Sequence, residues 1–294
     1  MAAFDHVIVG GGIIGASVAY HLARENGGSI LVVERNALAS ASSSLAAGMV
    51  LQVSANTTRT AMARRTRETI DILADELGDD VGFHPVGSLR LAASHYRIAQ
   101  LERMGLEAAR HDIPFQWLDA ETAGEMVPWL DLSTVGKIGF LPTDGYVDPY
   151  MLSMAYVRAA TARGVEFRQH TAVTDVLTKG GRVVGVETPQ GRIHCESVID
   201  AAGAWAALLA AQVGYPLPMA PVRSHYWITK ADPAYGGDHP AITMPDVGAY
   251  ARPDVGGILL GIHEQHSATF DARELPDDPA TFSPTVGEEH WDRL

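Results

Sequence analysis

The feature of this sequence that most constrains its fold is a glycine-rich turn between an apolar strand and a helix, close to the N-terminus. Residues 7–23 read VIVGGGIIGASVAYHLA, and ILVVER follows at residues 30–35. The apolar runs predict strands at residues 4–9 and 29–35, and the small residues at 16–24 predict a helix that packs closely on them. A βαβ unit of this kind places its two strands parallel in one sheet.

The spacing of the glycines suits the binding of a dinucleotide. In Gly10-x-Gly12-x-x-Gly15, the first glycine permits a tight turn, the second lets a pyrophosphate approach the backbone, and the third lets the helix pack on the strand. The helix N-terminus then offers free N–H groups and a positive dipole end to the phosphates. Glu34, 19 residues after Gly15, is suited to bind ribose hydroxyls and disfavours a 2′-phosphate, so we do not expect NADP. The motif alone does not distinguish an NAD site from an FAD site.

Two remote stretches of small residues bear on this choice. SSSLAAGM at residues 42–49 follows the second strand, and VIDAAGAWA at residues 198–206 is a further apolar strand that ends in small residues. Small side chains let an extended cofactor run alongside the backbone, and two such stretches are more than an NAD site needs. Together they favour FAD.

The composition excludes several classes of protein. The chain has 294 residues, of which 47% are hydrophobic and 19% charged, as in a globular protein with room for two domains. A net charge of −13 argues against a nucleic-acid partner, because such a surface cannot neutralise a row of phosphates. The single cysteine, Cys195, excludes an internal disulfide, and we expect it to be a buried core residue. We also expect no metal site, no leader segment, no membrane span and a cytoplasmic location.

The order of the elements predicts two interleaved domains. Helices are expected at residues 57–77 and 96–111 and from Pro149 onward, and hairpin-like strands at residues 172–203. Short strands begin near Val81 and return in the second half of the chain. We therefore predict an α/β protein, α+β overall, in which a Rossmann-like FAD-binding domain with a parallel central sheet is interrupted by a mainly antiparallel-sheet substrate domain. The expected boundaries are residues 1–82 and 143–215 for the FAD-binding domain, 83–142 and 216–270 for the substrate domain, and 271–294 for an acidic C-terminal segment.

A series of motifs resembles, in kind and in order, the FAD-dependent D-amino-acid oxidase superfamily. The resemblance covers nearly the whole chain and is strongest to the sarcosine and dimethylglycine dehydrogenase branch, with glycine oxidase as a near relative. After the glycine turn, the motifs that carry it are AAGM (46–49), GSLRLA (87–92), DGYVDPYMLSMAYVRAA (144–160), VIDAAGAWA (198–206), PVRSHYWIT (221–229) and GGILLGIHE (256–264).

This resemblance implies a set of FAD-binding residues and two departures from the family pattern. In the branch named, a histidine before the Ala-Gly step carries the flavin covalently; here Leu45 takes that position, so we expect FAD to be held non-covalently. Family members also continue with an arginine-bearing strand and a glycine-rich flavin segment that this sequence lacks, so we expect a fragment or a truncated relative. The residues expected to bind FAD are Gly10, Gly12, Ile13, Ile14, Gly15, Glu34, Arg35, Ser43, Ser44, Ala47, Gly48, Met49, Val173, Ala202, Gly203 and Trp205.

Four residues are candidates for the reacting centre. The resemblance aligns His225 and Tyr226 with a strand that faces the flavin, and an imidazole there would keep a substrate amine neutral or orient it. Tyr250 and Arg252 match a strand that enters the substrate pocket in glycine oxidase, and arginine is suited to bind a carboxylate in a bidentate manner.

The function that the resemblance implies is oxidation of the C–N bond of a small secondary or N-methylated amino acid, by hydride transfer to the flavin. Four readings remain open from the sequence alone: this one, a glycine or D-amino-acid oxidase, a non-catalytic FAD-binding regulatory relative, and an NAD-dependent dehydrogenase. The electron acceptor, oxygen or a carrier protein, is not specified by the sequence.

Overall fold

The computed structural model describes residues 3–235, 239–264 and 266–277. The helices, in chain order, are α1 (Ile13–Arg24), α2 (Thr57–Leu77), α3 (His95–Arg110), α4 (Ala120–Met126), α5 (Pro149–Thr161) and α6 (Ala206–Gln212). The strands are β1 (Ala3–Val9), β2 (Ile30–Val33), β3 (Met49–Val50), β4 (Phe83–His84), β5 (Ser88–Ala92), β6 (Gln116–Leu118), β7 (Lys137–Leu141), β8 (Gly145–Val147), β9 (Glu166–Arg168), β10 (Asp175–Lys179), β11 (Arg182–Thr188), β12 (Gly191–Asp200), β13 (His225–Ile228), β14 (Ala241–Met244), β15 (Ala249–Asp254) and β16 (Gly257–Ile262).

A six-stranded sheet in the order β10-β11-β12-β1-β2-β9 contains the glycine turn. Strand β1 lies at its centre and pairs in parallel with both β12 and β2. Alternate residues of β2 face opposite sides: Ile30 and Val32 pack towards α1 and α5, whereas Leu31 and Val33 pack towards the β10–β12 hairpins. Both faces of the central strands are therefore buried, as a parallel sheet requires.

A second sheet of seven strands, in the order β13-β16-β15-β14-β5-β7-β6, is antiparallel except for the parallel pair β14 and β5. One face packs Leu89, Ile242 and Ala251 against α4 and the segment after it. A small three-stranded sheet has the order β3-β8-β4. Its strands come where the chain passes from one large sheet to the other: β3 and β4 lie between β2 and β5 in the sequence, and β8 lies between β7 and β9.

An ion pair buried between the small sheet and the second sheet ties them together. Arg90 on β5 donates from Nη2 to Asp144 Oδ2 at 2.8 Å, and Asp144 is fully buried. Asp144 Oδ1 accepts a hydrogen bond from the backbone N–H of Gln52, and its Oδ2 accepts one from the Ser88 hydroxyl. The carboxylate is therefore well satisfied, and the arrangement supports a structural role.

The predicted elements agree with this architecture in type and differ at some boundaries. The α/β fold, with one mainly parallel and one mainly antiparallel sheet, is confirmed. The 57–77 helix has the predicted ends, because Asn56 caps its first turn and Gly78 ends it at φ +59°. The first helix begins at Ile13 rather than Ala16, and β2 covers only residues 30–33. Strand β14 was not predicted.

Within the described residues, no helix is long and apolar enough to cross a membrane. Cys195 is buried on β12, as expected, and this burial raises the pKa of its thiol. Most of the predicted 271–294 segment lies outside the described residues.

Candidate functional site

The glycine turn is shaped by close backbone approaches that only glycine allows. Gly10 has φ +113°, and a Cβ there would lie 2.3 Å from the carbonyl oxygen of Ala201. A Cβ on Gly15 would lie 1.9 Å from the carbonyl oxygen of Gly10. The turn is thus held between α1 and the end of β12, which brings the GGG and AAGAW motifs together.

Two polar side chains converge on the first turn of α1. Glu34, just after β2, accepts a hydrogen bond at Oε2 from the Gly11 N–H at 2.7 Å and one at Oε1 from the Asn36 N–H at 2.9 Å. Ser43 Oγ accepts one from the Ile13 N–H at 2.9 Å, which leaves its own O–H proton to be donated elsewhere. The carboxylate and the hydroxyl therefore lie at the positive end of the helix dipole.

The neighbouring surface is open and apolar in the way a large cofactor requires. Ile14 is 65% exposed and Leu45 is 58% exposed. Gly203 has φ +57°, and a Cβ there would meet no atom within 4 Å. Unpaired apolar side chains beside a polar helix end, together with open backbone at the AAGAW motif, fit an extended ligand with phosphates and a ring system. FAD is such a ligand.

Arg35 and Trp205 form the side of this surface next to Glu34. The Arg35 guanidinium carbon lies 3.7 Å from the centroid of the Trp205 ring, a cation–π contact. Arg35 Nη1 also lies 3.3 Å from Asp277 Oδ1, and Asn36 donates to the Asp277 carbonyl oxygen at 2.7 Å.

The remaining expected cofactor residues occupy two segments on either side of the turn. Gly48 has φ +73°, and a Cβ there would lie 2.2 Å from the Val147 carbonyl oxygen. Its own carbonyl accepts a hydrogen bond from the Val147 N–H at 2.8 Å. In the segment before Gly48, the Ser44 hydroxyl donates to the Ala41 carbonyl, and Ala47 comes directly before Gly48. After it, Met49 pairs with Tyr146 in the small sheet.

The last two expected cofactor residues lie elsewhere: Val173 and Ala202 pack against the hydrophobic core that includes Val7 and Val9 of β1.

Two tyrosines share one row across the second sheet. Tyr226 on β13 and Tyr250 on β15 both lie opposite Gly261 on β16, so the three residues face the same side. A Cβ on Gly261 would lie 2.0 Å from Tyr250 Cζ, so the phenol ring covers this glycine. Burial raises the pKa of the Tyr250 phenol, and the nearby Tyr226 raises it further.

His263 extends this tyrosine face and was not among the predicted residues. It follows β16, two residues after Gly261, and its ring centroid lies 5.2 Å from that of Tyr250. Its backbone N–H donates to the Gly248 carbonyl oxygen. The signal in the sequence was the alternation Gly261-x-His263, which directs both residues to the same side of a strand.

His225 lies on the other side of the sheet from Tyr226. It pairs in register with Ile262, and its ring stacks on Trp227, with centroids 6.3 Å apart. Its Nδ1 lies 2.7 Å from Glu264 Oε1 in a largely buried pair. Because neighbouring residues on a strand project to opposite faces, His225 and Tyr226 lie on opposite sides of β13, and of these two it is Tyr226 that shares a face with Tyr250.

Arg252 lies on the tyrosine face, two residues after Tyr250, and its guanidinium already has protein partners. Nε donates to the Ala47 carbonyl oxygen at 2.6 Å, and Nη1 donates to the Pro253 carbonyl and to Asp254 Oδ1. The expected carboxylate-binding role therefore competes with contacts inside the protein.

Comparison with known proteins agrees with these features. The family described as FAD dependent oxidoreductase matches residues 5–293. The chain is 34% identical over 280 residues to 4-methylaminobutanoate oxidase (formaldehyde-forming) of Paenarthrobacter nicotinovorans, covering 95% of this chain and 34% of that protein. It is 29% identical over 295 residues to mitochondrial dimethylglycine dehydrogenase of Homo sapiens, covering 99% of this chain and 34% of that protein.

A solved structure extends this likeness to the fold. The glycine oxidase of Geobacillus kaustophilus superposes with a TM-score of 0.78 at 30% identity, over 92% of this chain and 74% of that one. The chain spans about a third of the length of the first two relatives. With the glycine turn, the AAGM and AAGAW segments and the family match on the same residues, the chain belongs to the FAD-dependent oxidoreductase family.

Proposed function

We propose that this protein oxidises the C–N bond of a small secondary or N-methylated amino acid with FAD as its cofactor. The observation that carries the proposal is the contact between the two halves of the site. The Arg252–Ala47 hydrogen bond brings the AAGM segment of the nucleotide site to the sheet face that carries Tyr226 and Tyr250. A cofactor along that segment would meet a substrate on the tyrosine face.

We also propose the domain division expected from the sequence. Residues 1–82 and 143–215 would bind FAD, and residues 83–142 and 216–270 would bind the substrate. Ser43 would donate its free proton to a phosphate oxygen, Glu34 would bind ribose hydroxyls, and Arg35 with Trp205 would flank the adenosine end. Leu45 offers no nucleophile for a covalent bond, so the cofactor would be held non-covalently. A cytoplasmic location, which is part of the proposal, is compatible with the single unpaired cysteine.

The residues on the tyrosine face would bind and orient the substrate. When bound, FAD supplies the chemistry by accepting a hydride from the carbon next to the amine nitrogen. The hydroxyls of Tyr226 and Tyr250 can donate hydrogen bonds to a carboxylate or accept one from an amine. His263, beside Tyr250, would form a hydrogen bond with the amine and orient it.

The purified protein tests the proposal directly. It should be yellow, or become so on reconstitution with FAD, and anaerobic addition of sarcosine, dimethylglycine, 4-methylaminobutanoate or proline should bleach the flavin absorbance with at least one of them. A protein that takes up no flavin, or a flavin that no amine bleaches, would contradict the proposal. Denaturation should release FAD into the supernatant; flavin retained in the precipitate would contradict the argument from Leu45.

A glycine or D-amino-acid oxidase is the second candidate. The superposition on glycine oxidase favours it, because that match covers more of the partner's length than the matches to the longer relatives. Bleaching by glycine and D-alanine, without bleaching by the N-methylated amines, would replace the first candidate with this one. Reoxidation of the bleached protein by air, or only by an added electron carrier, would then identify the acceptor.

A further inference from the structure

We propose that Arg252 is a positioning residue that holds the AAGM segment against the tyrosine face, and that it does not bind the carboxylate of the substrate. The inference rests on the proposed function for its kinetic consequences, but its structural consequences stand without any cofactor. It reassigns the residue that arginine chemistry alone would place at the substrate.

The Nε and Nη1 groups of Arg252 are both bonded to protein oxygens. Its side chain is 8% exposed, and its charge is paired with Asp254, whose Oδ1 lies 2.8 Å from Nη1. Nε donates to the Ala47 carbonyl at 2.6 Å, and the guanidinium carbon lies 4.7 Å from the centroid of the Tyr146 ring. Bidentate binding of a substrate carboxylate would involve Nε or Nη1, so it would compete with Ala47 or Asp254 for these donors.

The segment that Arg252 holds is fixed from both sides. From the small sheet, the Val147 N–H donates to the Gly48 carbonyl at 2.8 Å. From the second sheet, Arg252 donates to Ala47, the residue immediately before Gly48 and 205 positions away along the chain. These two bonds restrain successive carbonyl groups of the AAGM motif.

The consequence is a fixed distance between the two halves of the site. Arg252 lies two residues from Tyr250 on the same face of β15, so the bond to Ala47 links the substrate face directly to the cofactor segment. Hydride transfer needs its two reacting atoms held close together, and a misplacement of about 1 Å can cost about a hundredfold in rate. Arg252 would therefore act through placement, equally for every substrate.

Hydrogen exchange on the cofactor-free protein provides the first test. In Arg252→Met, the amides of residues 48–50 should exchange about tenfold faster than in the wild type, because one charge-assisted hydrogen bond to the segment is lost. Arg252→Lys should give a smaller increase, since one ammonium cannot reproduce the fork of donors. Arg192→Met, in the exposed β11–β12 hairpin, is the matched control and should leave these amides unchanged. Unchanged exchange in both Arg252 variants would overturn the proposal.

Substrate comparison provides the second test. The kcat/KM values of wild type and Arg252→Lys are measured with the amino acid that bleaches the flavin and with the same amine lacking its carboxylate. Positioning predicts that both values fall by the same factor, so that their ratio changes less than about threefold; a carboxylate ligand predicts a ratio that falls about a hundredfold or more. The latter result would overturn the proposal. If no amine reacts with the wild type, the proposed function fails, while the exchange experiment still decides the role of Arg252.

Discussion

Replacing Gly15 with alanine should weaken both the fold and the cofactor site. The new Cβ would lie 1.9 Å from the Gly10 carbonyl oxygen, far inside the 3.4–4 Å of ordinary van der Waals contact. The neighbour is backbone, so it cannot rotate away, and α1 must move from the turn. Overpacking of this kind costs about 1–3 kcal/mol, at the upper end here because backbone must shift. Alanine regains about 1 kcal/mol of helix propensity, which leaves a net loss of about 2 kcal/mol.

Thermal denaturation and FAD titration measure the two effects. A loss of about 2 kcal/mol should lower the Tm of a chain of this size by about 4–8 °C. Displacement of the α1 N-terminus should also raise the Kd for FAD more than about tenfold, since the helix amides and Ser43 no longer meet the phosphates together.

Gly78→Ala is the matched control, because it adds a Cβ at a glycine where no neighbouring atom is in the way. Gly78 has φ +59° at the end of α2, and a Cβ there would meet nothing within 4 Å. The left-handed conformation costs about 1–2 kcal/mol, and the reduced entropy of the unfolded chain offsets about 0.4–1 kcal/mol of this. FAD affinity should not change. If Gly15→Ala binds FAD as the wild type does and melts no lower than Gly78→Ala, the contact argument is refuted.

Three further predictions concern the buried ion pair, a buried histidine and the tyrosine face. Arg90→Met should lower the free energy of unfolding in urea by about 3–5 kcal/mol, because the fully buried Asp144 carboxyl group loses its ion-pair partner; a loss below about 1 kcal/mol would contradict this. Burial lowers the pKa of His239 from its ordinary value near 6.5, so the unfolded chain binds the proton first as the pH falls. The free energy of unfolding should therefore decrease below about pH 6.5, and this decrease should be smaller in His239→Gln. If the variant and the wild type have the same pH profile, His239 does not cause the loss of stability at low pH. Gly261→Ala should displace the Tyr250 ring and lower kcat/KM, while FAD content and Tm stay near the wild-type values. An unchanged kcat/KM would mean that the tyrosine face does not bind the substrate.

Local patterns predicted the glycine turn and the 57–77 helix well. The 57–77 helix has an asparagine cap before it and a glycine after it, and both signals act within a few residues. The Gly10–Gly15 turn is likewise a local motif whose strand and helix lie beside it in the sequence. These parts depend on short-range backbone requirements that a sequence displays directly.

The arrangement of the candidate substrate face depends on contacts that the sequence does not display. Strand β14 pairs on one side with β15, a few residues later, but on the other with β5, more than a hundred positions earlier; Arg252 likewise contacts Ala47 at a separation of 205 residues. The opposite orientation of His225 and Tyr226, by contrast, follows from strand alternation alone. Applying that alternation to Gly261 also identifies His263.

The position of β1 between β2 and β12 sets the order in which this protein can fold as it is synthesised. His6 and Ser197, which share a hydrogen bond across these strands, are 191 residues apart. The first βαβ unit therefore emerges from the ribosome with one edge of its central strand unpaired, and it must wait for almost the whole length of β12 to appear. Closure of so long a loop slows folding, and the edge of β1 stays unpaired until β12 is available.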